Sequence, residues 1–273
     1  MATAKIHGVR LYYELSGNQG PPLVFVHGSW DSHVVWNRVV PRLAESFRVL
    51  TYDRRGHSNS ERMTGPGGIR EDVADLAALM ENLGFVPAWV AGNSFGASIT
   101  LRLAAQRAEL FCGLIGHEPP LFSLLAEDPA LTPLLREVKK SLEVVVERIA
   151  AGDYAGGAER FVENVALGPG AWAQLPATGR QALIENAPTF LDEARDPEQV
   201  AFDCEWIRHF APPVLLTLGD QSPPFFSPVV AKLADAFPHA EIRTFQGAGH
   251  IPHTTHPDAY VEAVLAFTRK HAG

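Results

Sequence analysis

Apolar residues in the first 120 positions fall in short runs separated by longer amphipathic intervals. Pro22-Leu23-Val24-Phe25-Val26 is apolar throughout, as expected of a strand buried on both faces. Val9 to Leu15, Phe47 to Tyr52, Trp89-Val90-Ala91 and Phe111 to Ile115 also read as strands. Between them, Val34 to Ala44 reads as a helix. Ile69, Val73, Leu76, Met80 and Leu83 fall at helical spacing, with Gly84 as terminator, and Ala97 to Ala108 gives another helix. Such alternation predicts a parallel sheet with right-handed crossovers. The rhythm breaks at Pro119-Pro120. From 121 to 210 the pattern is mainly helical: Leu134, Leu135, Val138, Leu142, Val145, Val146 and Ile149 form one stripe, and later segments carry scattered glycine and proline. The strand pattern resumes at Pro213 to Leu218. A helix (Val229 to Phe237), a strand (Glu241 to Phe245) and a last helix (Asp258 to His271) follow. The expected organisation is an α/β core made of 1–120 and 211–273, interrupted by a helical insertion at 121–210. An insertion at the carboxyl edge of a parallel sheet lies over the place where such sheets bind ligands.

Bulk properties narrow the field modestly. A chain of 273 residues that is 46% hydrophobic buries a stable core without difficulty. A net charge of −8 argues against nucleic acid and anionic membrane as partners. Cys112 and Cys204 form no C-x-x-C pair, so a zinc or redox motif is not expected. Met1 to Arg10 lacks an apolar signal core and no stretch is long enough to span a bilayer, so the expected setting is cytoplasmic.

Chemistry concentrates at Gly92-Asn93-Ser94-Phe95-Gly96, which follows a strand and opens a helix. A strained strand-to-helix turn presents its middle residue above the sheet, and glycines flank it because a Cβ there would crowd the turn. Ser94 is therefore the candidate nucleophile. His250, in Gly247-Ala248-Gly249-His250 between the last strand and the last helix, is the candidate base, with His253 and His256 as rivals. Metal binding by these histidines is not expected, because Pro252 and Pro257 disrupt regular ligand spacing. The oxyanion donors expected are the backbone N–H groups of Phe95 and of Ser29, in the loop His27-Gly28-Ser29-Trp30.

Together, His27-Gly28, Tyr52-Asp53-Arg54-Arg55-Gly56-His57-Ser58, Gly92 to Gly96 and Gly249-His250 resemble the α/β-hydrolase fold superfamily, in its cap-bearing branch. The resemblance implies an eight-stranded, mostly parallel sheet, a helical cap after the sixth strand, and a Ser–acid–His triad. It also marks a departure. Most members carry the acid three residues after the glycine that ends the seventh strand, and here that position is Ser222. Asp220 is acidic but two residues early. Glu118, after the sixth strand, is similar to the acid of certain haloalkane dehalogenases and zearalenone-type lactonases. It is the preferred candidate, with Asp220 as the alternative.

A serine at the elbow points away from dehalogenase and epoxide hydrolase chemistry. It implies cleavage of a carboxylic ester or lactone through an acyl-enzyme, with no cofactor and no metal. A carbon–carbon bond hydrolase of the meta-cleavage type and a non-catalytic small-ligand receptor are the alternatives. Aromatic residues of the insertion, Trp172, Trp206, Phe161 and Phe190, with Leu125, Trp30 and Phe225-Phe226, are expected to wall an apolar pocket. Trp30, Trp172 and Trp206 are the substrate contacts named from it. The expected partner is a hydrophobic small molecule, with a homodimer left open. Arg54-Arg55 reads as an ion pair, or as a clamp for a substrate carboxylate.

Overall fold

A computed structural model describes residues 2–62, 67–237 and 239–272. Its strands are β1 (Ala2–Ile6), β2 (Val9–Ser16), β3 (Pro22–Val26), β4 (Arg48–Tyr52), β5 (Ala88–Asn93), β6 (Phe111–His117), β7 (Val214–Gly219) and β8 (Ala240–Phe245). They form a single sheet in the order β1-β2-β4-β3-β5-β6-β7-β8. β1 and β2 pair antiparallel, as do β2 and β4; the other neighbours run parallel. This is the eight-stranded, mostly parallel sheet that the resemblance implied. Its central strands are apolar because both faces are covered. Leu23, Val24, Phe25 and Val26 of β3 are all fully buried.

Helices α1 (Val40–Leu43), α2 (Ile69–Asn82) and α3 (Phe95–Gln106) belong to the first half of the chain. Between β6 and β7 lie α4 (Thr132–Ala150), α5 (Tyr154–Phe161), α6 (Ala171–Gln174) and α7 (Ala177–Arg195). After β7 come α8 (Phe226–Ala236), α9 (Pro252–Thr255) and α10 (Pro257–Lys270). Residues of α2, α3 and α8 share one core cluster with one sheet face, while Trp36, Leu43 and the α10 residues Tyr260, Val261, Val264 and Phe267 pack on the other. The stripe on α4 buries Val138, Val145 and Ile149, and α4 packs against α5 and α7.

Two local differences from the sequence reading have physical causes. The interval Val34 to Ala44 is not one helix: a single 3-10 turn, His33–Trp36, capped by Ser32, precedes the four residues of α1. Pro41 has no N–H to continue a helix from the preceding turn, and it sits in the first turn of α1, where none is needed. β1 has no strong apolar run. Only Ile6 of it is buried, and it is held as an antiparallel edge on β2.

Parallel register places the functional loops. Val26 lies opposite Gly92, Asn93 opposite His117, and His117 opposite Thr217. The carboxyl ends of β3, β5, β6 and β7 therefore terminate side by side. The loops carrying Ser29, Ser94 and Glu118 leave from one edge, and the loop after β8 brings His250 to it.

Candidate active site

Ser94 has φ 54° and ψ −123°, a conformation that L residues rarely adopt. Close packing around it requires glycine. A Cβ on Gly96 would lie 2.2 Å from the Val26 carbonyl oxygen, and one on Gly92 would lie 2.5 Å from that of Gly96. At Gly28 it would meet the Ser94 Cβ at 3.1 Å. The Ser94 N–H donates to the His117 carbonyl at 2.8 Å, which ties the turn to β6. Phe95 is the first residue of α3, so its N–H has no intrahelical acceptor and lies at the positive end of the helix.

Glu118 comes straight off β6 with φ 45°, another strained non-glycine residue. Its side chain is fully buried. Oε1 accepts from the Gly219 N–H at 2.7 Å, and Oε2 lies 2.6 Å from His250 Nδ1. Because an ionised carboxylate only accepts, the Nδ1 atom carries the proton, which leaves Nε2 free as a base. Burial opposes ionisation of Glu118, but the fields and hydrogen bonds of His117 and His250 outweigh it and hold the carboxyl well below the usual carboxylate range. One face of the His250 ring packs against Phe226, stacked at 4.3 Å and 11°. His117 leans on the same carboxylate: its Nε2 lies 3.4 Å from Glu118 Oε2 and its Nδ1 lies 2.9 Å from Thr217 Oγ1.

His117, Glu118 and His250 are the kind of trio that can hold a metal. The 2.6 Å contact between two of the donor atoms is, however, a hydrogen-bond separation. Two ligands at about 2.0–2.1 Å from a tetrahedral zinc stand about 3.3 Å apart, so the trio does not fit that ion.

The alternative acid faces elsewhere. Asp220 Oδ1 accepts from the Gly247 N–H at 2.8 Å, closing the turn before His250 without touching the imidazole. The rival histidines are also separated from the site. His253 is fully buried with its ring 4.4 Å from that of Trp36, and His256 is half-buried, with its Nδ1 on Thr255 Oγ1.

Ser94 and His250 line one cavity of about 440 Å³, together with Ser29 and Phe95. No hydrogen bond joins Ser94 to His250 among the described residues. Such contacts commonly tighten only in the Michaelis complex. The cavity wall is largely apolar: Phe122, Leu142, Val146, Phe161, Phe190, Phe225 and Phe226, with Lys139, Glu143 and Glu147 of α4 also lining it.

The aromatic expectations divide. Phe161, Phe190, Phe225 and Phe226 are on the wall. Trp30 is one layer behind it, fully buried and packed against Phe161 and Phe190 at about 5 Å. Trp172 is half-buried beside α7, with its backbone N–H on Glu163 and Arg180 over its ring, and does not line the cavity. Leu125 is buried in the core cluster that contains α2 and α3. Trp206 is 50% exposed and lines a different groove with Arg70 and Arg102, because the 3-10 turn Cys204–Ile207 packs on the far side of α3. None of the three tryptophans named as substrate contacts thus lines this cavity.

Sequence reading missed the polar support of the loop His27 to Trp30, from which an oxyanion donor is expected. His27 is fully buried; its Nε2 accepts from the Arg54 N–H at 2.9 Å, and its Nδ1 donates to the Gly28 carbonyl at 2.9 Å. Burial and the Arg54 charge lower its pKa to about 3, so it is neutral near pH 7. Arg54 is no surface group and does not line the cavity. It is 1% exposed and bonds Asp72 of α2 at 2.7 Å and Glu193 of α7 at 2.8 Å.

Known proteins share both sequence and architecture with this chain. The profile of the Alpha/beta hydrolase family matches residues 23–263. An uncharacterized hydrolase, YraK, of Bacillus subtilis (strain 168) is 35% identical over 125 residues, 45% of this chain and 46% of that protein, so the match spans less than half its length. Lipase LipV of Mycobacterium tuberculosis is 32% identical over 202 residues, 72% of this chain and 70% of that one. The crystal structure of an alpha/beta hydrolase from Sphaerobacter thermophilus DSM 20745 superposes with a TM-score of 0.80 at 26% identity, covering 98% of this chain and all of that one. The chain belongs to the alpha/beta hydrolase family.

Proposed function

We propose that this hydrolase cleaves a carboxylic ester or lactone of a hydrophobic small molecule through an acyl-enzyme on Ser94. The observation that carries the reading is the 2.6 Å contact between buried Glu118 and His250 at the cavity that Ser94 also lines. In this account His250 Nε2 takes the Ser94 proton as Oγ attacks the acyl carbon. The N–H groups of Ser29 and Phe95 receive the oxyanion, a contribution of about 3–4 kcal/mol for each such donor. Glu118 holds the proton on Nδ1 and stabilises the imidazolium that forms. The proton then passes to the departing alcohol, and His250 activates water to release the acid. Helices α4 to α7 act as the cap, and their apolar wall selects the acyl group. Similarity to a protein named as a lipase agrees with ester cleavage.

The test is hydrolysis of p-nitrophenyl esters by purified protein. Wild type should release p-nitrophenolate, while Ser94→Ala should fall by about 10⁶-fold with its melting temperature retained. Wild-type protein inert toward esters and lactones of every chain length would overturn the proposal.

A further inference from the structure

The oxyanion loop is held from behind by one cation and by one face of an inserted helix. The Gly28 carbonyl accepts two hydrogen bonds, from His27 Nδ1 at 2.9 Å and from Arg54 Nη1 at 3.2 Å. Both of its lone pairs are thereby used. That carbonyl and the Ser29 N–H belong to the same peptide unit. In a planar trans peptide, C=O and N–H point in opposite directions, so fixing one aims the other. The same guanidinium lies over the Phe95 ring, 4.6 Å from its centroid. One buried cation thus touches the residues on both sides of the expected oxyanion hole.

Arg54 also reaches α7 through Glu193. Two further residues of that helix, Asn186 and Thr189, are buried and polar. Asn186 Nδ2 donates to the carbonyls of Trp30 and Asp31, each at 3.0 Å, and its Oδ1 accepts from the Ser58 N–H at 2.9 Å. Thr189 Oγ1 lies 3.0 Å from His57 Nε2. Positions 186, 189 and 193 share one helical face. Polar side chains there bury at a cost that apolar packing would avoid, which calls for a role beyond closing the cavity.

We propose that Arg54, braced by Glu193 of α7 while Asn186 of the same helix holds the carbonyls of Trp30 and Asp31, is a positioning residue that aims the Ser29 N–H into the reaction cavity, so that docking of the inserted helix and assembly of the oxyanion hole are one event. The claim deepens the hydrolase reading and rests on it for its catalytic half. Two variants test it. Arg54→Met with Asp72→Asn and Glu193→Gln removes the cation together with the two carboxylates that bond it. Arg54→Lys keeps the charge but lacks the planar fork that serves three acceptors at once. Each is assayed with a p-nitrophenyl ester and by ¹⁵N relaxation of the Ser29 amide in the free protein. The expected result is a kcat loss of about tenfold to a hundredfold with KM within about threefold. The Ser29 order parameter should fall from about 0.85 to below about 0.6. A folded variant with wild-type kcat and a rigid Ser29 amide, or a loss confined to KM, overturns the proposal. If the triple variant fails to fold, Arg54→Lys alone decides it. If wild type cleaves no ester, the hydrolase reading fails, while the relaxation comparison still decides whether Arg54 sets the peptide.

Discussion

Replacing Glu118 with glutamine exchanges one oxygen for an NH₂ group at nearly constant volume, and the surrounding bonds determine which way the amide faces. The Gly219 N–H donates to Oε1 at 2.7 Å, so the amide oxygen must take that position. A flipped amide would set two donors against each other in a fully buried site, at a cost of about 1–3 kcal/mol. The NH₂ group then faces His250 Nδ1, which lies 2.6 Å from the second oxygen in wild type. Nδ1 must become an acceptor, and the imidazole proton moves to Nε2, the atom proposed to receive the Ser94 proton. The variant holds the wrong tautomer and has lost the anion that stabilises imidazolium. Substitution of a triad aspartate by asparagine in serine proteases costs about 10⁴ in kcat, or about 5.5 kcal/mol of barrier, and the proposed mechanism predicts the same inversion for Glu118→Gln. The assay is kcat for a p-nitrophenyl ester, with Asp220→Asn as the partner measurement. Glu118→Gln should lose three to four powers of ten (about 10³–10⁴). Asp220→Asn, which disturbs the hydrogen bonds from Gly247 and Gln221 and none to His250, should stay within about tenfold. A Glu118→Gln enzyme within tenfold of wild type, or an Asp220→Asn enzyme that is equally impaired, refutes the reasoning.

Two further outcomes follow from burial. His27 is held neutral, its pKa lowered to about 3 by burial and Arg54, whereas an unfolded histidine titrates near 6.5. The unfolded chain therefore binds this proton first on acidification. The stability that His27 contributes is complete above about pH 6.5 and is lost as pH falls towards 3. Asp31, whose pKa is raised to about 7 by burial, gains stability over the same interval, so the His27 contribution is read as a difference: in urea unfolding the wild type should lose about 1.6 kcal/mol more than His27→Gln between pH 6.5 and 5, and an identical pH dependence of the two proteins contradicts the assignment. Val146→Trp fills part of the about 440 Å³ cavity from the α4 side. Octanoyl ester hydrolysis should drop about tenfold or more relative to acetyl ester hydrolysis, and an unchanged chain-length profile would place the acyl group elsewhere.

What could be read from the sequence follows from how strictly each feature constrains residue type. The elbow was legible because Gly92 and Gly96 have no space for a Cβ, so the chemistry is written in single letters. Buried strands such as β3 were legible because both faces demand apolar residues. β1 was not, since as an edge strand it buries only Ile6. Glu118 came from resemblance together with the serine at position 222. Residue types alone do not reveal the strained φ of 45° that directs it at His250. The tryptophans misled because a large apolar residue in a helical insertion reads the same whether it lines a cavity, packs behind its wall like Trp30, or lies exposed like Trp206. The face formed by Asn186, Thr189 and Glu193 was invisible for the opposite reason. Polar residues at helical spacing read as a solvated surface, and only the tertiary partners Trp30, Asp31, His57 and Arg54 show that they are buried.

The central claim is that Ser94 attacks an acyl carbon with His250 and Glu118 behind it. A p-nitrophenyl alkylphosphonate mimics the tetrahedral intermediate and traps such a serine. Intact-mass and peptide mass spectrometry should show one phosphonyl adduct per chain on the peptide containing Ser94. Adduct formation should be slowed by Glu118→Gln and abolished by Ser94→Ala. An adduct on another residue, or labelling of Ser94→Ala at the wild-type rate, would contradict the account.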